Sequence, residues 1–139
     1  LQTYVESCNK DHSKYLFGIF SKDKNEHIGN TTIYDINHRN KTFDIGYLIG
    51  DKRHWGTSAS VETLLLSLRF AFDDLKLRKM FGGVYSNHLS SRFTLKRSGF
   101  IEEARLKKRF FFNDKFVDEV IYTMDREKWV EIKKKFSIG

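Results

Sequence analysis

The stretch TFDIGYLIGDKRHWGTSASVETLLLSLRFAFDDL, residues 42–75, changes its hydrophobic period half-way along. Over 42–50, Phe43, Ile45, Tyr47 and Ile49 alternate with Asp44, Gly46 and Leu48, the period of two that belongs to a half-buried strand. After Gly50, the residues Val61, Leu64, Leu65, Leu68, Phe72 and Leu75 recur at three and four, which predicts an amphipathic helix over 58–75. A strand feeding a long helix through a ten-residue loop points to a sheet with helices packed on it.

The neighbouring segments extend that reading. Residues 15–21 are β-rich, 22–26 form a polar turn, and 27–37 resume with Ile28, Ile33 and Ile36. A second polar turn at 37–41 leads into the strand at 42–50, so three antiparallel strands come first. Downstream, 79–85 is a short apolar run with two glycines that reads as a buried strand. Residues 87–98 predict a shorter helix closed by Gly99 in the left-handed position after a helix. Segments 100–112 and 116–124 flank Asn113-Asp114-Lys115 as a hairpin, and 126–136 reads as a closing helix. At the start, Leu1, Tyr4, Val5 and Cys8 have the spacing of a helix end. The expected class is therefore α/β, an α+β mixed sheet with antiparallel N-terminal strands, a central helix, a C-terminal hairpin and a terminal helix.

With 139 residues the chain fits a single domain over 1–139, and a 40% hydrophobic content that includes thirteen Phe predicts a well-filled core. Cys8 is alone, so no internal disulfide or Cys-based metal site is expected, and a reducing, cytoplasmic setting is the default. The sequence contains neither a run of eighteen apolar residues nor a charged-then-apolar leader, so no membrane partner is expected. A net charge of +7 makes polyanions natural partners. Lys107-Lys108-Arg109 and Lys133-Lys134-Lys135 adjoin Phe110, Phe111, Phe112 and Phe136. Such interleaving can stack and neutralise nucleic acid, or it can be a solvated face above core aromatics.

The loop Gly50-Asp51-Lys52-Arg53-His54-Trp55-Gly56-Thr57-Ser58-Ala59 carries the chemistry. Small residues entering a helix leave backbone N–H groups unpaired at the positive end of its dipole, which makes an anion site. Gly56 permits close approach, Thr57, Ser58 and Ala59 keep side chains short, and Arg53 adds a charge-assisted donor, so a pyrophosphate is the natural guest. The same residues also fit an ordinary strand-to-helix turn with Ser58 or Thr57 as N-cap. The spacing fits neither a Walker loop nor the three-glycine dinucleotide fingerprint.

The order of elements and the motif Arg53-His54-Trp55-Gly56-Thr57-Ser58 resemble the GNAT superfamily of N-acetyltransferases, whose coenzyme A loop has the form Arg/Gln-x-x-Gly-x-Gly/Ala. Ile45-Gly46-Tyr47-Leu48-Ile49-Gly50 is similar to the fourth strand of the branch that includes ribosomal-protein and amino-sugar acetyltransferases, as is the pair Trp55-Gly56. Tyr85-Ser86-Asn87-His88-Leu89-Ser90-Ser91 is similar to the family's Asn-x-x-Ser segment. Lys96-Arg97-Ser98-Gly99-Phe100 matches its Lys-x-Gly-Phe helix end, and Phe116-Val117-Asp118 its last-strand pattern. The resemblance covers about residues 1–129. Three departures stand out: Ser58 replaces the loop's last Gly/Ala, the Asn position falls on His88 with Asn87 one residue early, and Leu95 stands where many members place a general-acid Tyr. The family's first strand and helix would precede Leu1, so the resemblance implies an N-terminally incomplete domain with an uncovered edge near 15–21 and a possible homodimer there.

The resemblance implies acetyl-CoA as cosubstrate with no metal. It places the thioester against main-chain groups of Leu48, Ile49 and Gly50, the pyrophosphate at Arg53, Trp55, Gly56, Thr57, Ser58 and Ala59, and the pantetheine arm near Asn87, His88 and Ser91. Asp44 is the candidate base, with His54, His88 and Asp35 as lesser ones, each also readable as a surface residue. Ser91 can protonate the thiolate or cap its helix. The expected acceptor is a primary amine of a small molecule. A +7 domain repels basic protein N-termini and polyamines, which favours a nucleotide-linked amino sugar. A non-catalytic acyl-CoA sensor and a ribosomal-protein-type N-terminal acetyltransferase remain alternatives. A nucleic-acid partner is not expected, because a nucleic-acid module leaves the Gly56 loop and the Gly99-Phe100 helix end unexplained.

Overall fold

A computed structural model describes residues 6, 10, 12–50, 52–54 and 58–138, with His54 as backbone only. Apart from Glu6, the helix end expected over 1–9 lies outside the described residues, as do the loop residues Trp55, Gly56 and Thr57. The chain divides into two compact units, Leu1–Arg78 and Lys79–Gly139.

In the first unit β1 (Tyr15–Phe20), β2 (His27–Asn37) and β3 (Thr42–Ile49) pair consecutively and antiparallel. The period-two pattern of β3 becomes a two-faced strand: Phe43, Ile45 and Ile49 are buried, while Asp44, Gly46 and Leu48 point to the other face. A bulge between Tyr34 and Asn37, with Asp35 at a φ of 50°, shifts the β2–β3 register by one residue. Helix α1 (Ala59–Arg69) lays Val61, Leu64, Leu65 and Leu68 into the core beside Ile33. A buried hydroxyl pair, Thr31 and Ser67 at 3.0 Å, ties α1 to β2.

The helix expected to run unbroken over 58–75 instead widens after Arg69 into a single π turn, Phe70–Asp74, in which the Leu75 N–H reaches back to the Phe70 carbonyl at 2.9 Å. The turn aims Phe70 at Tyr15 and Phe17 of β1, with ring centroids 5.3 and 5.0 Å away, and Phe72 at Phe43, 5.3 Å away. Those aromatic edge contacts reward the wider turn, and periodicity along the helix does not reveal them.

In the second unit β4 (Lys79–Tyr85) pairs with β6 (Lys115–Asp125), which pairs in turn with β5 (Ile101–Phe112), all antiparallel. Helices α2 (Leu89–Arg97) and α3 (Arg126–Lys135) accompany this sheet. Met80, Leu95, Phe100, Val120, Tyr122, Met124, Trp129 and Ile132 are buried. Gly99 closes α2 as the sequence suggests, at a φ of 97°. The Phe100 N–H donates to the Leu95 carbonyl and the Gly99 N–H to the Lys96 carbonyl, both at 3.0 Å, the double bond of a Schellman cap. Asp125 caps α3 by accepting from the Lys128 N–H at 2.8 Å, and Lys133, Lys134 and Lys135 face the negative end of its dipole.

The outer strand β5 breaks between Leu106 and Phe110, where three residues oppose one. Asp118 fills that break: its carboxylate accepts from the Lys108 N–H at 2.9 Å and from the Arg105 guanidinium at 3.0 Å.

Candidate active site

Asp44 sits on the face of β3 turned away from α1, opposite Tyr34 in the β2–β3 register. The Tyr34 hydroxyl donates to Oδ2 at 2.8 Å and the Ile45 N–H donates to Oδ1 at 2.7 Å. Both bonds favour the carboxylate, yet burial outweighs them and pushes the Asp44 carboxyl up to about 6, with Asp35 adding in the same direction. Burial, followed by the neighbouring Asp44 charge, holds the Tyr34 hydroxyl above the ordinary phenol range, so it remains a donor. A half-buried carboxylate with a raised proton affinity and a fixed phenol beside it has the properties of a general base.

Tyr34 was not a candidate from sequence. Its role depends on the cross-strand register, which the bulge after Tyr34 decides and which no local pattern announces. Asp35 itself is exposed on that bulge and lacks the enclosure of Asp44.

The strand end that leads into the loop is partly committed to the sheet. The Gly50 N–H donates to the Ile28 carbonyl at 2.9 Å, so this one main-chain donor is committed to the sheet. Gly29, opposite Ile49, leaves no side chain where the Leu48 carbonyl passes, and the Leu48 side chain is 70% exposed. Beyond, Lys52–His54 form one 3-10 turn. The Arg53 guanidinium pairs with Glu26 at 2.8 Å on the surface. Ser58 occupies the N-cap position of α1 but in helical conformation, without a side-chain cap bond. Of the two capping readings offered by sequence, the one on Ser58 therefore fails, and its hydroxyl does not spend itself on the helix end. At the start of α1 the Ser58 hydroxyl makes no cap bond, a side chain of the kind a pyrophosphate takes, whereas Ala59 brings only a methyl group and the Arg53 guanidinium is held by Glu26.

At the other candidate segment, His88 is the N-cap of α2, and its Nδ1 accepts from the Ser91 N–H at 3.2 Å. Ser91 is therefore in the first turn and is not the cap, which corrects the capping alternative for that residue. His88, at the position where the resemblance puts the family's Asn, spends its Nδ1 on this helix cap. Asn87 is exposed, and its carbonyl accepts from the Leu89 N–H at 3.1 Å. Arg92 fixes this turn from below, donating to the Ser86 carbonyl at 2.8 Å and to the Tyr122 hydroxyl at 3.0 Å. Leu95 is buried, 8% exposed, so α2 offers no acid there. Among the described residues no three His, Cys, Asp or Glu side chains gather as metal ligands, and no helix is long and apolar enough to cross a membrane.

The profile of the acetyltransferase (GNAT) domain matches residues 1–101. The chain belongs to the GNAT acetyltransferase family. This GNAT chain is 32% identical over 119 residues to the probable N-acetyltransferase YjcK of Bacillus subtilis (strain 168), covering 85% of the chain and 65% of the relative. It is 28% identical over 124 residues to the SPbeta prophage-derived uncharacterized N-acetyltransferase YokL of the same organism, covering 89% and 68%. The chain thus spans about two thirds of the length of these curated relatives. The spermidine N-acetyltransferase of Vibrio cholerae, solved in complex with CoA and spermine, shares the fold with a TM-score of 0.83 at 19% identity, over 93% of this chain and 75% of that one. The α/β class and element order read from the sequence are those of the GNAT fold.

Proposed function

We propose that the chain is an acetyl-CoA-dependent N-acetyltransferase acting on a primary amine of a small molecule. The observation that carries this reading is Asp44, a half-buried carboxylate with a raised proton affinity, on the strand that runs into the loop before α1 in a GNAT domain. The curated relatives are named N-acetyltransferases, and a solved neighbour holds CoA with an amine.

In this reading the loop from Arg53 through Trp55, Gly56, Thr57, Ser58 and Ala59 takes the coenzyme A pyrophosphate, and Asn87, His88 and Ser91 line the pantetheine arm. Main-chain groups of Leu48 and Ile49 border the thioester, with Gly50 shaping the turn. Acetyl-CoA supplies the acetyl group as a thioester. The amine nitrogen forms the C–N bond to the acetyl carbonyl carbon while the C–S bond breaks. The nitrogen's proton passes to the Asp44 carboxylate, and the departing sulfur takes a proton from the Ser91 hydroxyl, which is refilled from solvent. A nucleotide-linked amino sugar is the acceptor that the +7 charge favours.

The test is a calorimetric titration with acetyl-CoA followed by turnover against an amine panel. Tight binding with turnover supports the transferase. Tight binding with no turnover on any amine indicates the acyl-CoA sensor, and acetylation confined to peptide N-termini indicates the protein-directed alternative.

A further inference from the structure

The face of β2 and β3 that bears Asp44 also carries a cavity of about 260 Å³ lined by Lys14, Thr32, Tyr34 and Gly46. Four features of its construction bear on what it would hold. Gly46 lies opposite Thr32 in the register, and a Cβ there would stand in contact with the Tyr34 ring, 3.4 Å from its Cε1. Gly46 therefore leaves that side of the cavity without a side chain. Tyr34 forms one wall, and its hydroxyl is spent on Asp44, so that wall ends at a carboxylate. Among the described residues Lys14 is the one cation of the lining, is half-buried and makes no ion pair. Finally, the volume falls below the roughly 300–1,000 Å³ of ordinary small-molecule pockets, so it suits a compact molecule or one end of a longer one.

A cavity with a cation on its rim and a carboxylate behind its wall is dipolar. A ligand with several ammonium groups would bring one of them against Lys14, and like charges in a partly desolvated site cost more than in water. A ligand with an ammonium at one end and an acid group at the other meets a counter-charge at Lys14 and lies toward the Tyr34 wall that Asp44 backs.

Resting on the N-acetyltransferase reading above, we propose that this cavity receives the acceptor and selects an amine that carries its own phosphate or carboxylate, with Lys14 pairing the acid group and the Tyr34–Asp44 pair facing the amine. Lys14 is then the specificity determinant, and the acceptors are amines with an acid group close by, such as amino-sugar phosphates, aminoalkyl phosphates or the amino-sugar phosphate end of a nucleotide-linked sugar, instead of polyamines.

The experiment is calorimetric binding to the full chain without acetyl-CoA, using glucosamine 6-phosphate and 2-aminoethyl phosphate against glucosamine, ethanolamine and spermidine. The phosphorylated amines should bind at least about tenfold more tightly than their neutral parents, roughly 1.4 kcal/mol. Lys14→Glu should abolish that difference while Lys14→Arg retains it, with unchanged melting temperatures showing that both variants fold. Equal affinity for parent and phosphorylated amines, preference for spermidine, no binding of either phosphorylated amine, or indifference to Lys14→Glu overturns the proposal. Adding acetyl-CoA separates it from the activity: Lys14-dependent binding with no acetyl transfer removes the transferase reading and leaves the site standing. Acetylation that ignores Lys14 does the reverse.

Discussion

The Tyr34 hydroxyl and the Asp44 carboxylate meet at 2.8 Å across the β2–β3 register, each raising the other's hold on its proton or its charge in opposite senses. The phenol is kept protonated partly by the neighbouring carboxylate. The carboxylate gains the phenol's hydrogen bond, yet burial still leaves it with a raised proton affinity.

If Asp44 accepts the amine's proton, Asp44→Asn removes the base and keeps the shape. Turnover on a verified substrate should fall at least about 100-fold with acetyl-CoA affinity nearly unchanged. In the native chain kcat/KM should decline below about pH 6, where Asp44 protonates. A flat profile through that range, or an active Asn variant, assigns the proton to another group.

Tyr34→Phe tests the partner. Removing the hydrogen bond that favours the carboxylate raises the Asp44 carboxyl further, so the acid limb of the pH profile should move upward by about half a pH unit or more. An unmoved limb with a slower rate would mean that Tyr34 only packs.

Stability carries the same signature with a definite sign. Between its ordinary value of 3.8 and about 6, Asp44 keeps its proton in the folded chain and releases it in the unfolded one. Its contribution is therefore complete below pH 3.8 and is lost as pH climbs through 6. The loss amounts to roughly 3 kcal/mol at most. Denaturant titrations of the native chain and Asp44→Asn at pH 4 and pH 7 should show the variant gaining on the native protein at the higher pH.

For the coenzyme loop, Gly56→Asp places an anion where the pyrophosphate is proposed to lie. Acetyl-CoA affinity should drop at least tenfold, about 1.4 kcal/mol. A folded variant that binds as before dismisses the loop assignment.

Gly99→Ala probes the fold alone. The backbone there has a φ of 97°, and a methyl group would strike the Ile132 side chain. Thermal unfolding should report a loss of about 1 kcal/mol or more.

Much of this architecture could be read along the chain. Strands His27–Asn37 and Lys79–Tyr85 fall where alternation and turn residues put them, and Gly99 closes α2 because few other residues hold that conformation. Asp44 was visible as the acidic residue on its strand. What stayed hidden depends on pairing between segments. The π turn answers to rings on β1 and β3, and His88 replaces the expected cap with a ring nitrogen. Tyr34 faces Asp44 only because the bulge at Asp35 shifts the pairing by one; continued from Asn37 opposite Thr42, the register would set Tyr34 against Ile45. Lys14 reaches the same face from a turn with no periodic signature of its own.

The break in β5 has a consequence for how the molecule behaves at high concentration. An outer strand twelve residues long would offer neighbouring molecules a ready edge for strand-to-strand stacking. Here the ladder is cut between Leu106 and Phe110, and Lys107, Lys108 and Arg109 crowd positive charge into the gap. Two short segments remain, one of them ending in three consecutive phenylalanines. Asp118, by holding the gap open from within, leaves this aromatic edge a poor template for such stacking.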